Sequence, residues 1–339
     1  MAASIARAGL LRDPRFDAAL VLGTAALALT AGLAGAAWAW LLPILVLADL
    51  WLLGYHHVVS TFTRLVFKRA DIDAHKFSLF VLPFLVLAGV LAVAAGFGIW
   101  AIVSIYFYWQ WFHYARQSWG VSKAYQRKAP DGARFDPEWL AQAQLWLVPI
   151  WGVLARSNQD SATFLGLPME FIAVDRWIVD AVGALALASL ALWAVRRMQD
   201  WRTGRLAPAH TLYIATHHLI FFVAYIAIPD VTAGWLVANI WHNAQYILFV
   251  YLFNANRFKA GDDPAAPLLS KLAQPGRLWR YMLFCFAVST LVYVALGQVA
   301  ALIAAPVLIW QTINFHHYIV DSFLWRRPRV QRALAAHPA

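Results

Sequence analysis

LLPILVLADLWLLGYHHVVSTFTR, residues 41–64, decides the fold. Its apolar run is long enough to cross a hydrocarbon core about 30 Å thick, which takes about 20 largely apolar residues in a helix. The run closes on a basic residue, Arg64, and carries inside it one carboxylate, Asp49, and two adjacent imidazoles, His56 and His57. Polar groups are costly in hydrocarbon unless they find a partner, so this stretch reads as a membrane helix with something to hold.

The same pattern recurs along the chain. Of 339 residues 62% are hydrophobic and only 13% charged, and the mean hydropathy is +0.60, which excludes a soluble globular protein, where about a quarter of residues are charged. Apolar runs predict about ten helices, at 16–37, 39–59, 77–96, 98–116, 139–155, 176–196, 210–228, 232–254, 279–298 and 300–325. The expected fold is therefore all-α, a polytopic transmembrane helix bundle of about ten helices in one integral membrane domain, residues 1–339. The first residues resemble a start-transfer signal without a cleavage site, so the first run counts as a span.

The net charge of +10 belongs to topology. Lys and Arg gather in TRLVFKR (63–69), SKAYQRK (122–128), RRMQDWRTGR (196–205), NRFK (256–259) and WRRPRVQR (325–332). These segments fall on alternate connections, as the positive-inside bias requires, which predicts both termini in the cytoplasm and a bacterial inner-membrane location. No nucleic-acid partner is expected. The one cysteine, Cys285, offers neither a disulfide nor a thiolate metal site.

Eight of the eleven histidines lie in apolar helices: His56, His57, His113, His217, His218, His242, His316 and His317. His57 is 7 residues from Arg64, His113 is 3 from Arg116, His217 is 7 past His210, and His317 is 9 before Arg326. At about 1.5 Å per residue these four positions lie roughly 5–14 Å inside the cytoplasmic boundary. His242, 15 residues from Arg257, is deeper. Each helix also carries a polar stripe: Asp49 with His56; Tyr106, Gln110, His113 and Gln117; Asn239, His242 and Tyr246; Asn314, His317 and Asp321. Asp49, Asp321, Gln110, Asn239 and Tyr246 are candidates to orient a histidine ring. A single intramembrane histidine could simply bond one helix to another; eight at related depth predict a shared metal site. Neighbours on a helix point about 100° apart, so in each pair one ring could ligate while the other bonds elsewhere, or the pair could serve two metals.

Imidazole suits Zn, Cu, Fe and Ni. Zinc hydrolysis would want a carboxylate base, as in H-E-x-x-H, and no such motif is present, so non-haem iron, one or two ions, is the first expectation. The paired histidines His56-His57 and His316-His317, with His113 and His242 on separate hydrophobic helices, resemble in layout the multi-histidine membrane oxygenases: desaturases, hydroxylases and the Brp/Blh-type carotenoid-cleaving dioxygenases. The HxxxH and HxxHH boxes of the desaturases and hydroxylases are not present. The resemblance implies an oxidoreductase that acts with O2 on a lipid-soluble small molecule entering from the membrane lipids, with an electron donor as a further partner. Two other readings stay open. A haem b electron carrier could take axial ligands from a pair such as His113 and His242, and intramembrane His and Asp also mark transporter or proton pathways.

Overall fold

The structure is a computed structural model that describes residues 9–160, 162–301 and 305–325. It is all-α, with one two-stranded antiparallel hairpin, Ala162–Phe164 against Leu167–Met169. Among the described residues ten long helices succeed one another: α1 (Pro14–Ala37), α2 (Leu42–Phe62), α3 (Leu82–Phe97), α4 (Ile99–Lys128), α5 (Glu138–Ser157), α6 (Arg176–Arg202), α7 (Pro208–Ala227), α8 (Val231–Arg257), α9 (Leu278–Ala300) and α10 (Pro306–Leu324). Among the described residues five of them, α1, α2, α6, α7 and α9, are long and apolar enough to cross a membrane. The apolar α3 is shorter. The helices α4, α8 and α10 are not among the five because their histidines, amides and acids lower their hydropathy, and α8 is buried along almost its whole length.

Two compact units divide the chain. The first comprises Met1–Val46 and Phe107–His242, the second Leu47–Tyr106 and Asn243–Ala339. In the first, α5 packs on α6 and α7. Arg156, at the end of α5 and 1% exposed, turns inward and caps the carbonyl end of α7: Nη2 donates to Ala224 O at 3.0 Å and to Ile228 O, and Nη1 donates to Pro229 O. Helix carbonyls at a C-terminus have no partner of their own, so a buried guanidinium here satisfies several at once. Gly234, in the first turn of α8, makes the approach possible. A Cβ there would lie 2.1 Å from Ala224 O and 2.9 Å from Arg156 Nη2. Gly234→Ala is therefore expected to cost about 3 kcal/mol or more through overpacking against backbone. The loss of folded protein in a detergent melt checks this against Gly297→Ala, whose Cβ would meet nothing within 4 Å.

In the second unit α2 packs on α9 and α10 on α3. Leu65, Leu82, Val320 and Leu324 form its apolar cluster, flanked by Phe62 and Val86. Outside the apolar helices, Lys68 pairs with Asp263 at 3.0 Å and Arg257 with Asp71 at 2.6 Å. A π-helical turn, Leu50–Gly54, interrupts α2 immediately before the paired histidines. Such a turn inserts one residue and rotates the helix beyond it by about 100°, so the two-turn spacing from Asp49 reaches His57 rather than His56.

Candidate metal centre

In the second unit, α2 and α10 bring His57 and His317 together, with Nε2 of one 3.0 Å from Nε2 of the other. Their other nitrogens fix what those two atoms are. Nδ1 of His57 lies 2.7 Å from the Gly54 carbonyl oxygen. An oxygen of that kind only accepts, so Nδ1 carries the proton and Nε2 presents a lone pair. His317 is set by a longer chain. Tyr246 donates its hydroxyl to Asp321 Oδ1 at 2.6 Å. With that proton committed, the Tyr246 oxygen accepts from Thr61 Oγ1 at 2.8 Å, and Thr61 in turn accepts from His317 Nδ1 at 3.1 Å. His317 is thereby also left with its lone pair on Nε2. Two such nitrogens 3.0 Å apart can share a proton or a metal ion. Two nitrogens each about 2.1 Å from one ion are about 3.0 Å apart when they subtend roughly a right angle, which is the separation found.

In the first unit His113 of α4 and His242 of α8 lie with ring centroids 4.8 Å apart. Tyr114 lies against His242 at 4.3 Å between centroids and donates its hydroxyl to Asn239 Oδ1 at 2.6 Å, with Gln110 Oε1 at 3.4 Å. Gln117 Nε2 holds the His242 carbonyl at 3.2 Å.

Each unit thus contributes two buried histidines that offer a ring nitrogen as a metal ligand, His57 and His317 in the second and His113 and His242 in the first. These histidines could hold a metal ion. Every donor is an imidazole, the ligand of Zn, Cu, Fe and Ni. Asp321 brings a carboxylate close to the group, with Oδ2 3.8 Å from His317 Nε2.

The four remaining histidines have other surroundings. His217 is held at both nitrogens, Nε2 by Leu145 O at 3.1 Å and Nδ1 by Ser118 Oγ at 3.0 Å, the arrangement of a helix-to-helix hydrogen bond. His316 donates from Nε2 to Ser78 O at 2.7 Å and stacks on Phe62. His218 packs edge-on against Trp193 at 5.5 Å, and His56 lies beside Phe286 at 6.5 Å. Of the orienting candidates, Asp321 and Tyr246 reach His317 through Thr61, while Gln110 and Asn239 act on Tyr114 beside His242. Asp49 is buried. Thr61 and Tyr114 are site residues that the sequence reading does not single out. Thr61 stands four residues after His57, one turn along the same face, and that spacing is the signal that could have found it.

No known protein family, no curated protein and no solved structure matches this chain.

Proposed function

We propose that the four histidines hold one or two transition-metal ions, iron first among them, and that the protein oxidises a lipid-soluble substrate with dioxygen inside the membrane. The observation that carries this reading is the buried pair of imidazoles His57 and His317, whose Nε2 atoms stand 3.0 Å apart. Iron held by neutral imidazoles supplies one-electron chemistry and the activation of O2. The rest is the work of the chain. Thr61, Tyr246 and Asp321 hold the His317 tautomer, Gly54 holds that of His57, and burial of all four ligands keeps bulk water from the reacting atoms. A substrate dissolved in the bilayer reaches such a site laterally. The layout resemblance to the multi-histidine membrane oxygenases, in helices and histidine placement, supports the same reading.

Haem fits the donor set less well. A porphyrin supplies its own four nitrogens around the iron and needs two axial ligands on opposite sides of the ring, whereas His57 and His317 stand edge to face with Nε2 atoms only 3.0 Å apart. A sharp Soret band in the purified protein would assign haem instead.

Wild-type and His242→Ala membranes incubated with isotope-labelled dioxygen test the chemistry. Label entering a lipid-soluble product with wild type alone is the expected result. Its absence from both would sink the oxygenase reading, whatever metal is bound.

The proposal extends to orientation: both termini lie in the cytoplasm of a bacterial inner membrane, on the strength of the alternating basic segments. A reporter fused after Arg332, which lies outside the described residues as Arg326 does, is expected on the cytoplasmic side. Its appearance on the outer face would reverse the topology.

A further inference from the structure

Arg64 closes the stripe that carries His57 and stands two residues past the apolar helix α2. The other stripe-closing arginines have ordinary roles or lie elsewhere: Arg257 pairs with Asp71 at 2.6 Å, Arg116 is exposed, and Arg326 is outside the described residues. Arg64 is only 5% exposed. Its guanidinium carbon lies 4.0 Å from the Trp325 ring centroid and 4.5 Å from that of Phe253, two rings set nearly at right angles to each other. One nitrogen, Nη2, donates to Leu324 O at 3.2 Å. Nε and Nη1 are buried and have no acceptor.

A buried cation is costly unless an anion or strong acceptors meet it. Among the described residues no carboxylate lies within ion-pair distance of Arg64. Asp321 acts on it only from further off, its Oδ1 already taken by Tyr246. The residues outside the described set contain no Asp or Glu. The acceptor that Nε and Nη1 lack therefore has to come from outside the chain's acidic side chains. Depth says which kind: the level just past the end of an apolar span is where the head groups of amphiphiles lie.

We infer that Arg64 binds the oxyanionic head group, a carboxylate or a phosphate, of a long-chain amphiphile. The oxyanion takes the N–H edge at Nε and Nη1, through charge-assisted hydrogen bonds. His57 is seven residues away, roughly 10 Å along the helix. A head group fixed at Arg64 therefore sends its tail into the bilayer at the level of the histidines. That this amphiphile is the substrate rests on the function proposed above; the head-group site does not.

Equilibrium binding to the purified full-length protein in neutral detergent tests it, with radiolabelled palmitate, 1-hexadecanol as the neutral molecule of the same tail, phosphatidylglycerol as competitor, and metal content measured in parallel. Wild type is expected to prefer an oxyanion, palmitate or phosphatidylglycerol, over hexadecanol by about tenfold or more. Arg64→Gln removes that preference and leaves hexadecanol binding and metal content as they were; Arg64→Lys, with its charge but without the planar fork, restores part of it. Palmitate preference assigns a carboxylate ligand, and displacement by phosphatidylglycerol alone assigns a lipid phosphate. Equal binding of palmitate, phosphatidylglycerol and hexadecanol to wild type overturns the site even if no Arg64 variant folds. A parallel fall of hexadecanol binding in Arg64→Gln overturns it too, since the tail and not the head group would then depend on Arg64. Oxyanion preference in a protein that holds no metal would keep this site and remove the oxidation chemistry.

Discussion

His317→Ala is expected to strip the metal from the purified protein and to abolish oxidation of the substrate with it. Nε2 of His317 faces the His57 lone pair at 3.0 Å, and His316 beside it cannot take its place, being committed to Ser78 O at 2.7 Å. His242→Ala is expected to do the same. The loss should be specific. His217→Ala, which removes a ring bonded to Leu145 O and Ser118, should leave metal content near that of wild type while lowering the melting temperature, because it deletes a hydrogen-bonded link worth about 1 kcal/mol. Metal analysis of the three variants beside their melting curves checks the distinction. Equal metal loss in His217→Ala would move the site.

Thr61→Val carries the second large effect. The substitution keeps the shape of the side chain and removes the hydroxyl that accepts from His317 Nδ1 and donates to Tyr246. Without it the Asp321–Tyr246 pair no longer holds the His317 tautomer, and metal affinity is expected to fall on the order of 10–100-fold, the usual cost of losing a partner that orients a ligand. Thr61→Ser restores the hydroxyl and should restore most of the affinity. Asp321→Asn, at the far end of the same chain, should weaken binding by a similar factor with folding largely intact. A chelator-competition titration reads all three. Valine and serine variants that bind metal alike would show Thr61 to be packing only.

Hydropathy and charge made the helices legible, and the reason is the solvent: in hydrocarbon a backbone must satisfy itself, so spans announce themselves by length and composition. The runs at 139–155 and 176–196 correspond to α5 and α6 within a few residues at most ends. The run at 98–116 underestimates α4, which continues to Lys128. Past Arg116 the helix is no longer uniformly apolar, but Ser118 and Ser122 still face His217 and His210, and packing extends it where hydropathy stops. Height along a helix can be counted in residues and is legible in that sense.

Rotation was not. By residue count His217 stands at the depth of His57 and His113, yet its ring turns to Leu145 and Ser118, while the deeper His242 lies against His113. Within the pairs, residues about 100° apart on a helix have opposite fates, and composition cannot say that His57 and His317 rather than His56 and His316 face inward. The π turn at Leu50–Gly54 adds a rotation that no regular helical count includes. Thr61 is silent in the sequence for a related reason: an isolated hydroxyl in a helix is cheap and common, and only its distances of 2.8 and 3.1 Å to Tyr246 and His317 give it a role.

The most direct test of the metal centre is elemental analysis of the full-length protein purified without added metal or chelator, with a melting curve before and after chelation. One or two transition-metal ions per chain, iron foremost, are predicted, together with a fall in melting temperature on chelation that added metal reverses. Protein that carries no transition metal, and whose melting temperature neither chelator nor metal moves, would contradict the account.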